Sequence, residues 1–508
     1  MHTSLRSRWP LGVLLLLVLV HVARAGTHLD TWVDDAWISA RYAAHVAAGH
    51  GPTYNVGLPP VEGYTDPLWV GMIAAGLAAG FPLFTWGVAL GLMHGALGLV
   101  AVYALTRALR PDAHPAIALV GPALLAVDLH WAVVATNGLE SAQFAAFTAL
   151  ACAAAVSGWG SALVALGPAL VLCRPEGLAV AVGAVAWSFL RAPRRSATLA
   201  AITTGTTAAV LFGHRWVTFG AWLPNTVDAK SHKTLLAQLT FNLNYLGPDA
   251  PWWIALAVVA ALATVAHARA RRTDAGFVLA GALGLLAIVA QVDWWMPGAR
   301  LLQGPLLLVI AAAAAALPAG RVANGFALAI GAALLGLATI GLVPKHVERY
   351  DRVHSAVPGN GAERAGIWLR AHLPPGSTLV TRDAGVLAYH WGVGNRMYEA
   401  HPRALTRRHV DRADATLDDL PRDAEVFAAT VARESTKGWY YADDREAFRK
   451  LRGGYVYLGR VEQHFHRYYD IWVRDDLDVP PLPPEIVVNR IGTIGADRRP
   501  PLPADPAP

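Results

Sequence analysis

DDAWISARYAAHVAAGHGPTYNVGLPPVEGYTDPLW, residues 34–69, decides how this chain is read. It follows the first apolar run, LGVLLLLVLV at 11–20, and opens with two adjacent carboxylates, Asp34 and Asp35. Charged side chains this close to lipid are costly to hold and mark functional positions by default. Adjacent carboxylates also raise each other's pKa, which poises one of them as a base. The competing role is structural, because an Asp ahead of AWISARYAAHV is a good helix start; the two roles are compatible. Arg41 falls about two turns along that helix. Its planar guanidinium suits a phosphate, or else pairs with a local carboxylate. Tyr54, Asn55, Glu62 and Tyr64 then form an aromatic–polar loop, which suits sugar contacts or an interfacial aromatic belt.

The 508 residues are 55% hydrophobic and only 15% charged, too little charge for a soluble protein of this size. Long apolar runs therefore read as membrane spans rather than one large core. The net charge of +6 does not point to nucleic acid, because the arginines cluster in short loops between apolar runs. Both cysteines, Cys152 and Cys173, lie inside apolar segments, which excludes a disulfide framework or a metal-type spacing. The first apolar run fits a signal anchor better than a cleaved signal peptide.

Apolar segments run over about 10–25, 67–85, 86–106, 115–134, 141–157, 159–173, 177–190, 196–217, 251–269, 275–292, 301–318 and 323–343. Several are rich in Ala, Gly and Leu, as close helix packing in lipid requires. Basic clusters at Arg107/Arg110, Arg191/Arg194/Arg195, Arg269/Arg271/Arg272 and Arg321 set these loops inside. Loops 138–140, 174–177, 213–250, 293–300 and everything after 344 then lie outside. One count conflicts: 34–66 outside and 107–114 inside require an odd number of crossings between them, and two apolar runs are present.

The outer loops carry further polar motifs. Glu140 follows Asn137-Gly138-Leu139 at a span end, where it either has a partner or caps the next helix. Arg174-Pro175-Glu176-Gly177 interrupts a long apolar stretch; Arg174 and Glu176 can neutralise each other at a kink, or Arg174 can face a phosphate. Asn225, Asp228 and Lys230 lie in LPNTVDAK, and Lys230 suits a phosphate charge. Asp293, Trp294, Trp295 and Arg300 fall in DWWMPGAR, where the indoles can anchor at the interface or stack on a sugar ring. No nucleotide-sugar signature, P-loop, metal-ligand spacing or nucleophile elbow is present, so neither cofactor nor metal is expected. An activated lipid is then the sensible donor at an outward site.

Taken in order, DDAWISARY, GHGPTYN, VEGYTDPLW, NGLES, RPEG, LPNTVDAK and DWWMPGAR resemble bacterial membrane glycosyltransferases of the C-type fold, near the terminal β-(1→2) arabinofuranosyltransferase AftB and ZomB-like family. The resemblance covers about 30–310. It implies a mainly α, polytopic helix bundle of about 11–12 apolar segments. It also implies an outward cavity, a polyprenyl-phosphate-linked sugar donor, inversion at the anomeric carbon and a catalytic Asp in the first outer loop, here Asp34 or Asp35, with Asp34 preferred. Arg41, Arg174, Lys230 and Arg300 are the expected donor-phosphate ligands. Tyr54, Asn55, Glu62, Tyr64, Glu140, Glu176, Asn225, Asp228, Asp293, Trp294 and Trp295 are the expected sugar and acceptor contacts. Asp66 and Trp37 depart from the pattern. The acceptor is an envelope glycan, lipid or protein, and the location a bacterial plasma membrane with the site facing the periplasm.

The expected organisation is a transmembrane domain over 1–344, with first outer loop 26–66, then a small mixed α/β extracytoplasmic domain over 345–477 and a disordered Pro-rich tail over 478–508. Within the small domain, 360–373 reads as an amphipathic helix carrying Ile367, Leu369 and Leu373. GSTLVTRDAGVLAYHWG reads as a strand, a turn and a short element, and GGYVYLGRVEQHFHRYYDIWVRD as paired strands. Two rival readings share the intramembrane charges: a secondary transporter or flippase, which predicts inverted-repeat halves that the sequence lacks, and a non-catalytic envelope or motility protein.

Overall fold

A computed structural model describes residues 8–226, 234–246, 250–292, 297–317, 358–382, 384–399, 421–432, 451, 454–464 and 467–488. The expected span at 323–343 lies outside them.

The helical part comprises α1 (Trp9–Gly26), α2 (Asp34–Ala47), α3 (Pro67–Ala78), α4 (Leu83–Leu109), α5 (Pro115–Val127), α6 (Leu129–Val134), α7 (Ser141–Val156), α8 (Gly160–Cys173), α9 (Gly177–Arg191), α10 (Arg194–Phe219), α11 (Leu235–Leu246), α12 (Ala250–Arg269), α13 (Thr273–Val289) and α14 (Gln303–Ala316). Pro opens α3 and α5 at a position where its missing N–H costs nothing. Four of the described helices are long and apolar enough to cross a membrane: Trp9–Gly26, Leu83–Leu109, Arg194–Phe219 and Ala299–Ala316. α3 has 12 residues and rises about 18 Å, well short of a hydrocarbon core of about 30 Å, whereas α4 has 27. Counting one crossing rather than two between 66 and 107 would remove the parity conflict. α5 and α6 follow each other directly, broken where the Asp128 carboxylate accepts from Trp131 N at 2.7 Å.

The loops sort to two ends. At one, Arg110 donates to the carbonyls of Ala315 and Leu317, and Arg272 donates to Ala315, so two cations close the C-terminal end of α14. At the other, Glu62 pairs with Arg215 and Glu140 with Arg174. A glycine row on α4 holds that second end together. An added Cβ at Gly87 would strike Trp32, at Gly91 the Ala135 carbonyl, and at Gly98 the Trp131 ring. Small residues at this spacing let neighbouring backbones approach closely. The loop before α2 is thereby tied to the loop before α7: Val33 N donates to Asn137 O at 3.1 Å, and the Thr31 and Thr136 hydroxyls meet at 2.8 Å.

The small domain contains α15 (Gly361–His372), β1 (Thr378–Thr381), α16 (Val386–Trp391), β2 (Arg396–Glu399), β3 (Val426–Ala432), β4 (Tyr455–His464) and β5 (Arg467–Arg474). Its sheet has the order β2-β1-β3-β5-β4, with β1 parallel to β2 and β3 and the remaining pairs antiparallel. β1 with α16, and the β4–β5 hairpin, fall where the sequence places a strand with a short element and paired strands. Leu369 and Leu373 are buried on α15, but Ile367 is 41% exposed, because the helix face that packs is set by Ala362, Ala365 and Leu369.

Two expectations need correction. The start of the Pro-rich tail is packed: Leu482 and Ile486 are buried, and Val488 N donates to Arg460 O at 2.8 Å. Proline stiffness does not prevent docking when apolar residues alternate with it. The first outer loop, in turn, is not an appendage of the helix bundle alone. Trp32, Trp37, Tyr42, Tyr54 and Trp69 form one continuous apolar core with Leu369, Leu387, Trp391, Met397 and Val426 of the small domain.

Candidate active site

Helix α2 sits between the bundle and the small domain and presents a different face to each. At 3.6 residues per turn, Asp34, Trp37 and Arg41 share one face and Asp35 and Ser39 another.

The first face grips α16. Asp34 Oδ1 accepts from Val386 N at 3.0 Å, at the N-terminal end of that helix. Arg41, buried, donates from Nε to Tyr54 O at 3.0 Å, from Nη1 to the carbonyls of Ala388 and Gly392, and from Nη2 to Asn395 O at 2.8 Å. An anion thus meets the positive end of α16 and a cation its negative end. The spacing fits: seven residues of α2 rise about 10.5 Å and six of α16 about 9 Å. Between them Trp37 lies against Tyr389 and His390, with ring centroids 5.1 and 5.0 Å apart. The Tyr54 hydroxyl donates to Ala384 O at 2.6 Å. Asn55 exchanges two bonds with the backbone of Met397 at 2.8 and 2.9 Å, imitating a strand neighbour of β2. Arg41, Tyr54 and Asn55, expected on phosphate and sugar, are therefore committed to holding the small domain. Their polar atoms are buried and paired with backbone groups, which costs far less than leaving either side unmet.

The second face carries Asp35 and Ser39. Asp35 is half-buried and makes no hydrogen bond or ion pair among the described residues. Ser39, one turn on, donates to Asp66 at 3.2 Å. Asp66 lies buried with Glu140 and Arg174, and these two and the half-buried Arg300 all act on its charge. Burial, and after it Glu140, push the Asp66 carboxyl well above the usual carboxylate range. Burial also pushes Glu140 up, but Arg174 and Arg300 outweigh it and hold that carboxyl below its ordinary value. Arg174 bridges Glu140 and Glu176, and its guanidinium carbon lies 5.9 Å from the centre of the Phe144 ring. Below them, Cys173 Sγ donates to Gln143 Oε1 at 3.3 Å, and Gln143 Nε2 meets His94 Nε2 at 3.2 Å.

Glu62 and Asn225 meet. Arg215 Nε lies 3.0 and 2.9 Å from the two Glu62 oxygens, and Asn225 N donates to Glu62 O at 3.0 Å. Burial raises the Glu62 carboxyl, and Arg215 opposes this only in part. Tyr64 packs edge-on against Tyr42 at 4.7 Å. Arg300 lies in a 3-10 turn over Pro297–Leu302, half-buried, with no hydrogen-bond or ion-pair partner among the described residues. Of the expected phosphate ligands, Arg41 and Arg174 are consumed, Arg300 is open, and Lys230 lies outside the described residues, as do Asp228, Asp293, Trp294 and Trp295. Asp66, Ser39, Arg215, Gln143 and His94 are the polar residues that sequence reasoning did not place in the site. Asp66 carried one signal, its departure from the family pattern; Arg215 stood out only as part of the polar outer loop 213–250, and its partner lies 153 residues away. Among the described residues no group of three or more His, Cys, Asp or Glu side chains could hold a metal ion.

No family model and no curated protein matches this chain. Solved structures do. The apo oligosaccharyltransferase of Archaeoglobus fulgidus aligns over 94% of this chain and 76% of its own, at 12% identity and a TM-score of 0.53. Apo ArnT from Cupriavidus metallidurans aligns over 91% of this chain and 98% of its own, at 16% identity and a TM-score of 0.56, and ArnT has also been solved bound to undecaprenyl phosphate. The arabinofuranosyltransferase AftD from Mycobacteria aligns over 92% of this chain but 40% of its own, at 16% identity and a TM-score of 0.50. The chain has the fold of the C-type membrane glycosyltransferases, a helix bundle with a small C-terminal domain.

Proposed function

We propose that this protein is a polyprenyl-phosphate-sugar glycosyltransferase of the bacterial plasma membrane, near the AftB and ZomB-like family, working at the outer leaflet on an envelope glycan, lipid or protein. One observation carries the reading. Asp66, Glu140, Arg174 and Arg300 come from four separate loops and gather at one end of a fold shared with ArnT, which was solved with undecaprenyl phosphate.

Asp35 serves as the base, because its carboxylate is open while that of Asp34 is engaged with α16. It takes the proton of an acceptor hydroxyl as that oxygen bonds to the anomeric carbon. The bond from that carbon to the phosphate oxygen breaks, its electron pair stays on the phosphate, and the configuration inverts. Arg300 neutralises the departing phosphate, with Lys230 as the second cation. Glu140 and Glu176 hold Arg174 and shape the sugar pocket. A pentofuranose is the sugar that the family resemblance favours.

The test supplies the protein in membranes with labelled polyprenyl-phosphate sugars and, separately, nucleotide sugars. Transfer from the lipid donor alone, lost in Asp35→Asn, is the expected result. Unchanged transfer in both Asp34→Asn and Asp35→Asn, or transfer from a nucleotide sugar, sinks the proposal.

A further inference from the structure

Asp66 stands at the N-cap position of α3 and caps nothing. Pro67 follows it, so the first helical residue offers no N–H, and the side chain turns instead to Ser39, whose hydroxyl lies 3.2 and 3.4 Å from the two carboxylate oxygens. The group is 2% exposed. It forms no ion pair among the described residues. The groups that face it are Glu140 from the loop before α7, Arg174 and Cys173 from the end of α8, Arg300 from the 3-10 turn, Ser39 from α2 and Tyr64 from its own loop.

Charge counting separates two states of this site. Among the described residues, Arg174 and Arg300 match Glu140 and Glu176. A proton on Asp66 leaves the sum at zero; an ionised Asp66 leaves one buried negative charge with no cation of its own, an expensive arrangement. A donor phosphate brings a further negative charge to Arg300, and two unmatched anions in one buried space do not both ionise readily.

We propose that Asp66 holds a proton in the resting site and that this neutral form admits the phosphate of the lipid donor, so that Asp66 sets the pH range of donor binding. The proposal rests on the donor reading above and adds a regulating group to it. Binding and protonation are then linked. The bound phosphate strengthens the hold of Asp66 on its proton, and each pH unit above its midpoint weakens donor binding about tenfold. Below the midpoint this contribution is level. Burial and Glu140, which both favour the protonated acid, act in the required direction.

The experiment uses the full chain in zwitterionic nanodiscs with undecaprenyl phosphate as probe. Dissociation constants are measured across pH for the natural protein and for Asp66→Asn, a permanently neutral isostere. The ratio of the two cancels the ionisation of the lipid's own phosphate. It should rise about tenfold per pH unit above the midpoint, with Asp66→Asn binding as tightly as the natural protein below it. The infrared difference between the two proteins at neutral pH should contain the carbonyl stretch of a protonated carboxylic acid. If Asp66→Asn does not fold, a shift of that band in Ser39→Ala assigns it. A ratio that stays flat with pH, or absence of the band, overturns the proposal. Failure of both proteins to bind the lipid at every pH, with the band present, brings down the donor reading and the gating with it while the buried proton stands. The two failures are thus told apart.

Discussion

Asp34 and Asp35 are neighbours in sequence, yet they belong to different halves of the molecule. The Asp34 face of α2 is closed: Asp34 and Arg41 are paired with the backbone of the small domain, and so are Tyr54 and Asn55 from the loop beyond. The Asp35 face is open, with a carboxylate that has no partner among the described residues, one turn from a buried acid–arginine group. About 100° of helix rotation separates a carboxylate engaged with the small domain from one turned away from it. An acidic pair in a sequence is therefore two residues with separate environments, and its repetition need not mean a shared role.

The sharpest way to break this contrast is to neutralise each acid in turn. Asp35→Asn should lower transfer by about 10²–10⁴-fold with the fold intact, whereas Asp34→Asn should lower it far less and loosen the small domain. Initial rates and limited proteolysis on the same preparations decide it; equal rate losses would erase the distinction. Next in size is Arg41→Met, which strands several buried carbonyls and should destabilise docking by about 3–5 kcal/mol. Hydrogen exchange over 384–397 should rise, while the amides of α7 and α8 stay protected. On the bundle side, Glu62→Gln leaves Arg215 buried without its counter-charge and should cost about 3 kcal/mol, much of it recovered when Arg215→Met is added. Thermal melts of the single and double variants measure that coupling.

The smallest expected effect concerns His390, which packs on Trp37 at the docked face. Burial, and then Arg370, lower its pKa to about 4 from the ordinary 6.5. Its Nε2 is buried without a hydrogen bond, and Glu363 lies 3.9 Å away. The unfolded chain binds this proton more readily than the folded one, so the contribution is complete above about pH 6.5 and is lost as pH falls toward 4, at no more than about 1.4 kcal/mol per unit. His390→Gln should flatten that slope in pH-dependent melts; an unchanged slope would assign it elsewhere.

Much of the architecture follows directly from patterns along the chain. The apolar runs, the β4–β5 hairpin and the α15 helix lie where periodicity puts them, because each depends on residues close in sequence. The run over 67–85 is less direct, since only its first 12 residues form a helix and a second helix begins at Leu83. Pairings over long separations were not available. Arg41 finds Ala388 from 347 residues away, and its partner atom is a carbonyl, which every residue possesses and no sequence pattern advertises. Arg174 illustrates a partial success: Glu176 was foreseen as its neutralising partner, while Glu140, another outer-loop acid, joined the same guanidinium from a different span end.

The seat of the small domain has an evolutionary corollary. Asp34, Arg41, Tyr54 and Asn55 bond to amides and carbonyls between Ala384 and Met397. Lineages can rewrite the solvent-facing letters of that segment while four positions near the amino terminus keep the module attached.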